Sequence, residues 1–233
     1  MKWLVVSALF LVTCVHAGMR ELYELYEVVD NVGLPCRVMK PIHFDSSKAY
    51  PVIVSLHGAG GKGTNNRKQL KDWNGQLASK ELRETFPCYV VAPQSPGLWN
   101  EEQLKKVQAL IKGLPSADMN RIYILGHSMG GHGTYIWTQL APGYFAAAAP
   151  SAGSGLKKTE AFIDAAKIKD LPIWAFHGDK DGVCPIEKEL KVFEEMKMLG
   201  GTMKLTTWVG GNHGVSGKFI PGAENGTTAG SSD

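Results

Sequence analysis

The chain has 233 residues, enough for one domain of ordinary size, and its 44% hydrophobic content suffices for a sizeable core. Its formal net charge is only +3, with lysines interleaved among glutamates, as in Glu101-Glu102 ahead of Lys105-Lys106 and in the run from Glu187 to Lys191. That is the pattern of solvated helix faces rather than a nucleic-acid footprint, so no nucleic-acid partner is expected.

Residues 1–17, MKWLVVSALFLVTCVHA, carry one lysine, an apolar run from Trp3 to Val12, and then Val15-His16-Ala17 in a small-x-small pattern. The run is too short to span a bilayer and reads as a secretory signal cut after Ala17. The expected location is extracellular or periplasmic, with no membrane span; an N-terminal anchor is the alternative. Removal of this segment leaves Cys36, Cys88 and Cys184. In an oxidising compartment three cysteines allow one disulfide and one free thiol, with the pair left open.

Apolar runs then alternate with amphipathic stretches. Strands are expected at 51–56, 88–92, 121–125, 145–149, 172–176 and 204–209. Helices are expected at 101–112, where Asn100 and Gln103 form a capping box, and at 129–140. A third is expected over 185–199, with Pro185 at its start, Ile186, Leu190, Phe193 and Met196 facing inward, and Gly200-Gly201 at its end. The strands are mostly continuous apolar runs, which suggests burial on both faces. The fold class is therefore α/β: a mostly parallel central sheet with helices on both faces. In such sheets ligands meet the loops beyond the carboxyl ends of the strands.

The residues with chemistry to offer gather at those ends. Gly126-His127-Ser128-Met129-Gly130 follows a strand and opens a helix, the setting of a nucleophile elbow that holds a serine clear of the sheet. A serine hydroxyl needs a base. His16 leaves with the signal, His57 orders its own turn, His127 points elsewhere, His132 makes a polar contact near the site, and His177 packs beside its turn. His213, in the glycine-rich loop past the last strand, is the expected base. The base needs a carboxylate to hold its tautomer. Phe176-His177-Gly178-Asp179-Lys180-Asp181 offers two; Asp179 braces the turn and Asp181 is the choice. The chain order Ser, Asp, His suits the elbow fold. Two amides should receive a tetrahedral oxyanion: Met129, after the nucleophile, and Ala59, in His57-Gly58-Ala59-Gly60-Gly61. The stretch Gly58 to Thr64 lacks the spacing of a phosphate-binding P-loop, no metal-binding pattern such as H-E-x-x-H occurs, and no cofactor is expected.

On these residues the sequence resembles the α/β-hydrolase superfamily and, within it, secreted esterases of the dienelactone hydrolase, polyhydroxybutyrate depolymerase and feruloyl esterase type. The matching stretches are YPVIVSLHGAGG, CYVVAPQSPGLW, NRIYILGHSMGGHGTY, WAFHGDKDGVCP and GGNHG. The resemblance implies an α/β-hydrolase fold with a Ser128–His213–Asp181 triad and an oxyanion hole of the Ala59 and Met129 amides. It also implies a small-molecule or polymeric ester as substrate. Trp99 either lines the substrate pocket or packs as ordinary core. Between Gly153 and Leu171 there is no room for a large lid. The family pattern usually has an aromatic residue where His132 stands, and a closing helix after the histidine. Here the stretch from Gly214 onward has no helical period, so one side of the sheet is expected to be less well covered. The expected organisation is a signal peptide at 1–17, a catalytic domain at 18–214 and an irregular polar tail at 215–233. Two rivals are a serine peptidase of the prolyl-oligopeptidase-like type and a catalytically impaired binding protein on the same fold.

Overall fold

A computed structural model describes residues 19–218 and 226–231. The expected signal peptide lies outside these residues. A short helix α1 (Met19–Leu25) leads into an antiparallel pair, β1 (Tyr26–Val29) and β2 (Cys36–Met39). Then come β3 (Tyr50–Leu56), helices α2 (Asp72–Leu77) and α3 (Lys80–Thr85), β4 (Tyr89–Pro93), α4 (Glu101–Lys112), β5 (Ala117–His127) and α5 (Met129–Leu140). The chain continues through β6 (Ala147–Ser151), a four-residue α6 (Ala165–Ile168), β7 (Ile173–Gly178), α7 (Ile186–Met198), β8 (Met203–Trp208) and β9 (Gly226–Gly230).

Among the described residues these strands form one sheet in the order β1-β2-β4-β3-β5-β6-β7-β8-β9. The strands from β4 through β8 in that order are parallel, and antiparallel pairs flank them on both sides. One face packs Val52, Val54, Ile122, Ile124 and Ala175 against apolar residues of α4, α5, α6 and α7. The other is covered by α1 and α2 around Tyr26, Val90 and Trp73, and by a 3-10 turn at Val215–Lys218 that brings Val215 onto Trp208. This second face is thinner. Ile53, Tyr123 and Ala149 are only half-buried, and Trp174 on β7 is 43% exposed, so the less-covered side anticipated from the sequence is present. No large lid interrupts the order, and among the described residues no helix is long and apolar enough to cross a membrane.

Three differences from expectation have physical causes. The stretch at 226–230, expected to be irregular, is a strand: it pairs antiparallel with β8 through its backbone, and the Thr206 and Thr228 hydroxyls meet at 2.7 Å. Gly-Thr-Thr-Ala-Gly has no apolar alternation because both its faces are exposed. The inward face of α7 is rotated from the expected one. Leu190 is 42% exposed, while Glu189 is fully buried beside Val192, Phe193 and Met196, because Glu189 has polar partners in the interior. Finally, Cys36, Cys88 and Cys184 are all free thiols rather than including a disulfide pair. They sit on separate elements, Cys36 in β2, Cys88 just before β4 and Cys184 in the turn after β7, and burial pushes the Cys36 and Cys184 thiols up to about 12.

The capping box of α4 is present: the Gln103 amide N–H donates to Asn100 Oδ1 at 3.1 Å, and Asn100 N–H donates to Gln103 Oε1 at 3.0 Å. Gln103 also donates to the Ser95 hydroxyl, which ties this helix start to the end of β4. Asn100→Ala should lower unfolding free energy by about 1 kcal/mol, read as a lower urea midpoint at unchanged slope.

Candidate active site

The elbow at residues 126–130 depends on backbones approaching more closely than side chains permit. A Cβ on Gly126 would lie 2.4 Å from the Gly130 carbonyl oxygen, and one on Gly130 would lie 2.0 Å from that of Leu56. These contacts bring the start of α5 against the end of β3 and leave Ser128 at φ 58° and ψ −118°, a region that side chains rarely occupy. Strain of this kind persists only where the surroundings over-determine it. Here β6 and α5 do so: Ser128 N–H donates to the Ser151 carbonyl at 2.9 Å, and His132 N–H donates to the Ser128 carbonyl at 2.9 Å.

The structure brings the three expected side chains into one hydrogen-bonded line. The Ser128 hydroxyl donates to His213 Nε2 at 2.8 Å, and His213 Nδ1–H donates to Asp181 Oδ2 at 2.8 Å. The other carboxylate oxygen of Asp181 accepts the backbone N–H groups of Val183 and Cys184, both at 2.8 Å. Burial works to raise the Asp181 pKa, but His213 and the two amides outweigh it and hold the carboxyl below its usual range. Asp179 braces the turn as expected: Oδ1 accepts Gly210 N–H at 2.7 Å, which ties the loop carrying the carboxylate to the loop carrying the imidazole. The His213 side chain is 25% exposed, so the line opens to solvent at its reactive end.

The amides expected to face the serine are also brought close. A Cβ on Gly58 would lie 3.5 Å from Ser128 Cβ, which places the start of the Ala59–Gly61 turn beside the nucleophile position. Ala59 and Met129 are each the first residue of a helical turn, where no intrahelical carbonyl is available to the N–H. A 12-residue helix, α5, adds its positive end at Met129.

The loop holding Ala59 is anchored from below. His57 is fully buried; its Nδ1–H donates to the Gly58 carbonyl at 2.7 Å, and its Nε2 accepts Ser95 N–H at 3.0 Å. One ring nitrogen gives and the other receives, so the ring is neutral. Burial drives its pKa down to about 4. Gln94 donates to the Gly61 carbonyl at 3.0 Å and accepts Asn66 N–H at 2.6 Å. Trp99 belongs to this support. It is 2% exposed, its Nε1–H donates to the His57 carbonyl at 3.3 Å, and its ring packs on His57 and Trp137. Its indole fills the space under the loop, the packed position of the two expected for it.

Two other histidines differ from expectation. His127 does not point away: its ring lies 5.0 Å from that of His213, and Nδ1 pairs with the Ser151 hydroxyl at 3.1 Å. Burial first, and the neighbouring His213 next, push its pKa down to about 4, so an uncharged ring packs against the imidazole of His213. His132 makes an aromatic rather than a polar contact: its ring lies 4.4 Å from Phe162, and Nδ1 is buried with no hydrogen-bond partner. His177 closes its turn as expected, donating from Nε2 to the Cys184 carbonyl at 2.8 Å. Sequence reasoning missed Glu189 and Tyr135, which lie behind that turn in direct contact. Among the described residues no group of three or more His, Cys, Asp or Glu side chains is arranged to hold a metal ion.

Residues 94–221 match the family described as "Dienelactone hydrolase family". No curated protein sequence matches the chain significantly. Among solved structures, a thermostable esterase is 30% identical with a TM-score of 0.71, over 81% of this chain and 56% of that one. This chain therefore spans little more than half of that esterase's length. A ferulic acid esterase from Anaeromyces mucronatus, solved with ferulic acid, is 18% identical with a TM-score of 0.59, over 80% of this chain and 81% of that one. Dipeptidyl peptidase 4 from Porphyromonas gingivalis is 20% identical with a TM-score of 0.64, over 79% of this chain and 31% of that one. The last two likenesses show a shared fold.

Two outcomes follow from the buried rings. His57 and His127 titrate near 4 in the fold against about 6.5 when unfolded, so the neutral forms favour folding above pH 6.5. Stability should fall as pH drops from about 6.5 to about 4, and the fall should be shallower in His57→Asn, measured by urea midpoints across that range. Trp99→Leu should cost about 3 kcal/mol in unfolding free energy, the range for losing a buried aromatic ring.

Proposed function

The chain belongs to the dienelactone hydrolase family, and from that premise we propose that it is a secreted serine hydrolase of carboxylic esters. It works through a Ser128–His213–Asp181 triad and an acyl-enzyme. The observation that carries this reading is the unbroken line of hydrogen bonds from the Ser128 hydroxyl through His213 to Asp181, at the carboxyl ends of the parallel strands.

In this mechanism Ser128 Oγ attacks the ester carbonyl carbon while its proton passes to His213 Nε2. Asp181 holds the other ring proton in place and stabilises the imidazolium that forms. The carbonyl oxygen becomes an oxyanion and receives hydrogen bonds from the Ala59 and Met129 amides. The tetrahedral species collapses, the C–O bond to the alcohol breaks, and the alcohol leaves with the proton from His213. Water then attacks the acyl-serine as His213 takes one of its protons, and the carboxylic acid departs as that proton returns to Ser128. Ester rather than peptide turnover is supported by the 30% identity to an esterase and by the exposed position of Ala59 and the part-exposed His213, which suit an accessible acyl group. The substrate is a small or polymeric ester. In this reading the catalytic domain runs from residue 18 to the edge strand β9, and residues 1–17 direct the chain for export.

A panel of p-nitrophenyl and feruloyl esters tested beside peptide substrates decides the class: ester turnover should exceed peptide turnover by orders of magnitude. Ser128→Ala should lower kcat/KM by at least about 10³-fold and abolish labelling by an organophosphonate. Full activity in that variant would show that another residue is the nucleophile. Sequencing the N-terminus of the exported protein tests the cut after Ala17.

A further inference from the structure

Behind Asp181, away from Ser128, lies a second set of ionisable groups that the reaction above does not consume. His177, at the end of β7, has a wholly buried side chain, as do Asp181 and Glu189. Its Nε2–H donates to the Cys184 carbonyl at 2.8 Å and lies 3.5 Å from Asp181 Oδ2. Its Nδ1 faces Glu189 Oε2 at 3.6 Å, an ion-pair distance longer than a hydrogen bond. Neither of those two facing atoms has any other hydrogen-bond partner. The remaining Glu189 oxygen, Oε1, accepts the Tyr135 hydroxyl from α5.

Two buried carboxylates therefore flank one imidazole ring. Buried charges persist when they are paired, and an isolated pair of like charges in the interior is among the most costly arrangements. The Nε2 proton is already committed to the Cys184 carbonyl. A bare Nδ1 would aim its lone pair at a carboxylate oxygen and leave both atoms unsatisfied. A proton on Nδ1 removes both problems.

We propose that His177 is an imidazolium held between Glu189 and Asp181, and that it acts as a positioning residue that sets how strongly Asp181 holds charge on His213. The proposal rests on the triad reading above. Burial works against a charged ring, but the Glu189 carboxylate first, then the Cys184 carbonyl and Asp181, outweigh it and raise the His177 pKa. The groups around it are Asp181 and Cys184 from the turn after β7, Glu189 from α7 with Tyr135 of α5 behind it, and His213 and His127 across Asp181. Of these, His127 is uncharged above about 4, so it does not offset the His177 cation.

The consequence concerns the base. A cation on the far side of Asp181 opposes the second positive charge that forms on His213 when it takes the Ser128 proton. Removing the Glu189 charge releases the His177 proton, and that opposition ends.

The test uses the full chain with ¹⁵N-labelled histidine. At pH 7 the His177 ring nitrogens should both show protonated shifts in the wild type. In Glu189→Gln the ring should turn neutral. The His213 titration midpoint and the acid limb of kcat/KM should then both move up by about 0.5–1 pH unit, with folding checked by circular dichroism. A neutral His177 in the wild type at pH 7 overturns the proposal. So does a folded Glu189→Gln protein whose His213 midpoint stays in place, the result expected if these residues only pack. Should Glu189→Gln not fold, His177→Gln tests the same coupling, and the wild-type spectrum still decides the charge. Absence of Ser128-dependent ester turnover would undo the proposed function, yet the ring shifts and the His213 midpoint would still read this inference.

Discussion

The contact between the Leu56 carbonyl and the α-carbon of Gly130 sets the geometry of everything above the sheet. With a side chain at Gly130 the start of α5 would stand off from the end of β3. Ser128 would then lose its strained conformation, and the loop from His57 to Gly61 would no longer lie beside it. The same approach aligns the start of α5 with the Ala59 turn. Close-packed backbone, not a hydrogen bond, fixes the distance between Ser128 and the turn that begins at Ala59, and the polar network is built onto that frame.

That network is layered by charge. Nearest to solvent are Ser128 and the partly exposed His213. Beneath them, Asp181 is held by two amides and His127 is uncharged. Under the adjoining loop sits His57, also uncharged, with Trp99 and Trp137 below it. Burial separates neutral rings that only position backbone from rings that face a carboxylate. His57 and His127, which pair with no carboxylate among the described residues, are uncharged, whereas His177 faces the Glu189 carboxylate.

Much of this was legible in the chain. The alternation of apolar runs and amphipathic helices gave the parallel sheet, α4 and α5 with their bounds, and the capping box at Asn100. Ser128, Asp181 and His213 were readable because each sits at a strand end in a glycine-bearing turn, where local chemistry is visible without tertiary knowledge. Elements held mainly by backbone pairing were not readable: β1 and β2 have four residues each, and β9 has no apolar residue larger than alanine. The α7 face shows another limit. The helical period through Ile186, Phe193 and Met196 passes through position 189 as well as 190, but a glutamate there reads as solvated until Tyr135 and His177 are known to wait for it. Trp99 was ambiguous for a related reason, since only the tertiary fold shows whether an aromatic residue after a loop faces a cleft or lies beneath one.

The strand at Gly226–Gly230 also has a bearing on how this protein behaves at high concentration. By pairing with Met203–Trp208 it occupies the row of amides and carbonyls along the outer side of the last parallel strand. That row would otherwise be an open template on which a neighbouring polypeptide could add itself by ladder pairing. What faces outward instead is the free row of a five-residue glycine- and threonine-rich strand, a shorter template with little apolar surface to hold a neighbour.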